Sequence, residues 1–203
     1  GGGDDAGGAG RAGLGRRVRK EREDGGWDAG RMEGGRETNV YGHSRNGDGI
    51  EGDTGITALA LLALMAAGHT HMEGAYRRNV QHGLEYLLGS QAGSGSLAGS
   101  ARLYARMYCH GMALLAVSEA YALTGDPRIL PFLERGLAFS IATQDPVGGG
   151  WFYTPRAGGD TSVVGWQIMA LKSGILSYLN VPGYVKTRAN KWLDSVQSDF
   201  YVE

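Results

Sequence analysis

Cysteine is all but missing from this sequence. Cys109 stands alone among 203 residues, so no intrachain disulfide can form, which fits a reducing compartment. Excess charge of either sign is missing too. Twenty Lys/Arg face 21 Asp/Glu, a net −1 that gives no broad electrostatic case for nucleic acid or an anionic membrane. No apolar run is long enough to cross a bilayer: the longest, Ala58 to Ala67, has ten residues, against roughly 18 for a spanning helix. Gly1 to Gly10 lack the apolar stretch of a secretory leader, so a cytoplasmic location is expected. Gly148-Gly149-Gly150 is not followed by the Lys-Ser/Thr pair of a phosphate-binding loop, and no cofactor is expected.

Glycine is abundant, and its distribution divides the chain. Residues 1–52 hold 17 of the 36 glycines, with nine Lys/Arg and ten Asp/Glu and few aliphatics. Such a segment buries too little apolar surface to offset its ordering entropy, so most of it is expected to be loop or flexible. Within it, Glu21 to Trp27 reads as a tight turn ending on an aromatic, after a basic stretch able to close a helix.

From Asp53 onward an internal repeat is read. Gln91, Gln144 and Gln197 follow one another at 53-residue intervals, and the units span 53–105, 106–159 and 160–203. Each splits into two helical patterns. The first is apolar almost all round, as in Ala58 to Ala67 and Met112 to Val117, and so must be covered on both sides. The second is amphipathic: Tyr76, Val80, Leu84, Leu87 and Leu88 in one unit, Ile129, Leu133, Leu137 and Ile141 in the next. Val185, Ala189, Trp192, Leu193 and Val196 complete the set. Gly125-Asp126-Pro127 predicts a helix stop, an N-cap acid and a first-position proline. An inner helix sheathed by an outer one, repeated, predicts an all-α fold, either a solenoid or a closed α/α-toroid.

After each outer helix comes Gln and a glycine-rich turn. Gln144-Asp145-Pro146-Val147-Gly148-Gly149-Gly150-Trp151 resembles the Gln-Trp repeat motif of squalene and hopene cyclases. Gln91 to Leu97 is a copy without the Trp, Glu21 to Trp27 carries Glu for Gln, and Gln197 begins another. Tyr108-Cys109-His110-Gly111-Met112-Ala113, Gly159-Asp160-Thr161-Ser162 and Gly165-Trp166-Gln167 resemble the bacterial prenyltransferase/squalene oxidase repeat proteins of the terpenoid cyclase and protein prenyltransferase superfamily. The resemblance, over about residues 16–200, implies a partial α/α-toroid: a truncated toroid, an open half-ring, or half of a homodimer, with a second copy or further repeats able to close the ring.

The chain departs from those families at their chemistry. Only Asp53 and Thr54 of Ile50-Glu51-Gly52-Asp53-Thr54 agree with the D-x-D-D acid of alkene-protonating cyclases. Cys109 and His110 are adjacent and point to different sides of one helix, and His69-Thr70-His71 has no third ligand, so no metal is expected. Asp53 and Asp160 both precede an apolar helix, where an N-cap belongs.

Two function classes remain. One is an isoprenoid cyclase-like or prenyltransferase-like enzyme, with Asp160 or His110 as the acid–base group and Tyr108, Trp166, Asp53 and Arg106 binding substrate. The other is a non-catalytic α-hairpin scaffold that holds a peptide, a glycan or a lipid on its inner-helix face.

Overall fold

The computed structural model describes residues 21–28, 51–102 and 104–197, with the backbone alone of 39–40 and 43–44. Six helices carry the described chain: α1 (Asp53–Ala66), α2 (Arg77–Gly89), α3 (Ala105–Thr124), α4 (Leu130–Thr143), α5 (Thr161–Leu176) and α6 (Gly183–Val196). A minimal antiparallel pair, β1 (Asn39–Val40) with β2 (His43–Ser44), precedes them, with Val40 opposite His43. The fold is all-α, as the period of the apolar residues requires. Most of the expectation for residues 1–52, including the basic stretch before Glu21, lies outside the described residues.

The three apolar helices pack side by side, α1 on α3 and α3 on α5. They run parallel. Gly55 at the start of α1 faces Cys109 and Met112 early in α3. Further down, Ser173 of α5 donates to Glu119 of α3 at 2.7 Å. The amphipathic helices lie behind them. α4 is antiparallel to both its neighbours: Leu114 seats against Gly136 and His110 against Ser140, while Leu137 seats against Gly174 and Ser140 bonds Gln167.

One continuous core joins these layers, with Leu61, Leu64, Leu87, Leu114 and Leu133 among its buried members. Each fully buried leucine contributes about 1.5–3 kcal/mol, so the amphipathic stripes of α2 and α4 are what fix the two layers together. The apolar helices are not wrapped on all sides. Tyr108, Met112, Leu115 and Glu119 on α3 are only half-buried, and they share a face with exposed Leu59 on α1 and Met169 on α5. The sequence pattern, which asks for cover on both sides, overstates the burial of that face.

Two helix starts also differ from expectation. Asp160 caps α5, its side chain accepting from the backbone N–H of Ser162 and Val163. Asp53 does not cap α1. Gly52 takes the N-cap position, and Asp53 is the first helical residue, held by Arg22 Nη1 at 2.6 Å. An acid there still meets the positive end of the helix dipole. Gly125 stops α3 in the left-handed conformation, as its sequence position indicates. Asp126 then closes a separate turn by accepting from Arg128 N, and α4 begins only at Leu130, with Pro131 in its first turn.

Candidate functional site

The glycine-rich turns are docking devices. In the turn 91–97, Gln91 Nε2 donates to Gly95 O at 3.1 Å within the turn and to Phe132 O at 2.9 Å on α4. In the turn 144–151, Gln144 Nε2 donates to Gly149 O and to Val185 O of α6, both at 2.9 Å. Phe132 and Val185 are 53 residues apart. Gly25, Gly95 and Gly149 all have positive φ and lie against the carbonyls of His82, Arg135 and Arg188, again 53 apart. A Cβ at Gly95 or Gly149 would stand 2.2 Å from that oxygen, so only glycine fits.

The first turn keeps this layout with altered chemistry. Glu21 cannot donate as Gln does, and it instead accepts a hydrogen bond from Asn79 Nδ2. Burial pushes the Glu21 carboxyl up, while Asn79 and the charge at His82 pull it the other way. Trp27, Leu97 and Trp151 end the three turns, all fully buried.

His110 belongs to the second of these turns. Its Nδ1 accepts the backbone N–H of Leu97 at 3.0 Å, as Thr57 Oγ1 accepts that of Trp27 at 2.8 Å. Thr57 and His110 are 53 residues apart. With Nδ1 accepting, the proton of a neutral ring sits on Nε2 and goes to Ser140 Oγ at 3.0 Å. Ser140 in turn donates to Gln167 Oε1 at 2.6 Å, and Gln167 Nε2 to Met107 O at 3.0 Å. Trp151 Nε1 ties the third turn to the same network through Ser140 O at 2.8 Å. Burial, helped by the positive charge of Arg106, lowers the His110 pKa to about 3. Both ring nitrogens are engaged and the side chain is fully buried.

Asp160 stands apart from that network, at the entrance to α5. Its Oδ1 takes the two capping N–H bonds, the Ser162 hydroxyl and Tyr108 Oη, the last at 3.4 Å. Its Oδ2 accepts from Tyr153 Oη at 3.2 Å. Burial acts to raise the Asp160 carboxyl, but these bonds, led by Ser162, outweigh it and hold the pKa below the usual value. Tyr153 is pushed up to about 12, first by burial and then by the Asp160 charge. Its ring stacks on Phe152 at 4.3 Å and lies 6.0 Å from that of Tyr108. Tyr153 and Phe152 escape sequence reasoning, because the segment before Asp160 carries no period.

The remaining candidates scatter. Asp53 is bound to Arg22, which also pairs with Asp24 and lies over the Tyr86 ring. Arg106 is exposed at the start of α3. Trp166, half-buried, packs its Cβ toward Gly111. The structure thus brings Tyr108 to Asp160 and leaves His110 and Asp53 each in its own surroundings. Among the described residues no cluster of His, Cys, Asp and Glu could hold a metal ion.

No family model, curated protein or solved structure matches this chain.

Proposed function

We propose that this chain is a non-catalytic α-hairpin scaffold, built as part of an α/α-toroid, whose half-exposed inner-helix face is its binding surface. The observation that carries the reading is how the candidate acid–base groups are used. His110 clamps a turn, Asp160 caps a helix, and Asp53 is neutralised by Arg22. An acid that protonates an alkene needs a raised pKa, and the Asp160 carboxyl is held down. A general base needs a free lone pair, and Nδ1 of His110 has none to offer.

The toroid reading draws its support from geometry that recurs every 53 residues. The carbonyls of His82, Arg135 and Arg188 each receive a left-handed glycine, and those of Phe132 and Val185 each receive a Gln amide. The face left open on α1, α3 and α5 carries Leu59, Leu62, Met112, Leu115, Trp166 and Met169, which suits an apolar ligand.

The enzyme reading rests on one contact, Tyr108 with Asp160 at 3.4 Å, beside the aromatic rings of Tyr153 and Phe152. Incubation with squalene and with polyprenyl diphosphates, followed by mass spectrometry, separates the two. The scaffold reading expects unchanged substrate and a Trp166 fluorescence response to bound lipid. Product that forms with the native chain and disappears with Asp160→Asn establishes the enzyme instead.

A further inference from the structure

Because α1, α3 and α5 run parallel, their C-terminal ends make one rim of the molecule. His71 Nε2 joins Asp126 at 2.9 Å, which sets the loop after α1 against the turn after α3. Ser173 on Glu119 sets the end of α5 beside the end of α3. Several large apolar side chains are exposed along this rim: Met72 at 51% exposure, Leu123 at 55%, Ile175, Leu176 at 68% and Tyr178 at 98%.

Tyr178 is the extreme case. It is almost wholly solvated and sits in the left-handed region at φ 63, the conformation that Gly125 adopts 53 residues earlier. A bulky residue there is strained, and a glycine would relieve the strain without loss of any buried contact. Retaining a fully exposed aromatic at such a position needs a reason outside the folded chain itself.

Charge separates the two rims. On the apolar rim, Arg77, Arg78, Arg128 and Lys172 are exposed. Its acids are Glu73, a half-buried Glu119 that accepts from Ser173, and a buried Asp126 already taken by Arg128 and His71. The opposite rim, at residues 21–28, 51–53, 102–106 and 144–160, has eight Asp/Glu against four Lys/Arg. We propose that the rim bearing Met72, Leu123, Leu176 and Tyr178 docks on an anionic lipid surface, with Tyr178 entering the headgroup layer and Arg77, Arg78 and Lys172, the cations not already held by Asp126, facing lipid phosphates. These side chains sit at helix ends and in the turns that follow them. Aromatic, aliphatic and basic side chains side by side are the composition of interfacial anchors. The proposal stands apart from the scaffold reading, which concerns the inner-helix face.

The test is sedimentation of the 203-residue chain with vesicles of phosphatidylcholine and phosphatidylglycerol, against vesicles of phosphatidylcholine alone. Binding is expected to the mixed vesicles only, and to weaken as salt is raised. Tyr178→Gly combined with Leu176→Ser should lower vesicle affinity roughly tenfold while thermal stability holds or rises. Lys172→Gln should weaken binding to the mixed vesicles and shallow its salt dependence. Absence of binding to mixed vesicles overturns the proposal, as does binding that the double variant leaves unchanged. A concentration-dependent dimer that the same double variant dissociates, with no vesicle binding, assigns the rim to a second copy and also overturns it.

Discussion

Gln144 reaches across two outer helices: it ends α4, and its side-chain amide hydrogen-bonds the carbonyl of Val185 on α6 at 2.9 Å. The same amide closes its own turn on Gly149 O, so one side chain satisfies two carbonyls. Gln144→Leu should therefore cost more than its small change in shape suggests. Two acceptors lose their donor, for roughly 2 kcal/mol or more of destabilisation by urea unfolding with an unchanged slope. Gln144→Glu should be worse, since a carboxylate would face both oxygens. A loss within 0.5 kcal/mol for the leucine variant would remove the clamp from the account.

Gly95 and Gly93 differ in kind, although they lie two residues apart in one turn. Gly95 has φ 92 and sits on Arg135 O, whereas a Cβ at Gly93 meets nothing within 4 Å. Gly95→Ala combines left-handed strain of about 1–2 kcal/mol with a backbone clash that must push the turn off α4. The melting temperature should fall by several degrees at least, and Gly93→Ala should leave it nearly in place. Equal effects would mean that the turn is not docked.

Asp126 predicts an acid limb to the stability curve. Its carboxyl is held well below the usual range, mainly by hydrogen bonds from Arg128, with His71 contributing. A depressed carboxylate stabilises the fold above its unfolded pKa of about 4, and the gain is lost as pH falls below that. Asp126→Asn should lower stability at neutral pH and flatten the decline between about pH 4 and pH 2. An unaltered slope in acid unfolding curves would show that this pairing contributes nothing.

Much of the architecture is legible in the sequence because it follows from side-chain period. The stripe Ile129, Leu133, Leu137 and Ile141 marks α4, and its first three residues are buried while Ile141 is half-buried. The turn from Glu21 to Trp27 is equally readable, and its end residues pair as an antiparallel bridge. What period cannot supply is a partner distant along the chain. Arg22 meets Asp53 across 31 residues, and His71 meets Asp126 across 55. Cap rules place an acid before an apolar helix but cannot know that Arg22 will claim Asp53. The role of His110 carried a faint signal. Thr57 stands 53 residues before it, and a hydroxyl and an imidazole nitrogen can accept the same backbone N–H. Asp160 next to Tyr108 could be suspected from their places at neighbouring helix starts, whereas Tyr153 could not.

The central claim is that the conspicuous titratable groups of this chain are fastenings of the fold. His110 tests it most directly, through two-bond nitrogen–proton correlation NMR across a pH series. Its folded pKa of about 3 lies below the unfolded value near 6.5, so the neutral ring stabilises the fold above pH 6.5. That contribution is lost progressively as pH falls from 6.5 toward 3. The account predicts a neutral ring protonated on Nε2 from pH 8 down to at least pH 5 in the folded protein. A His110 resonance that titrates near pH 6.5 without unfolding, or a ring protonated on Nδ1, would contradict it.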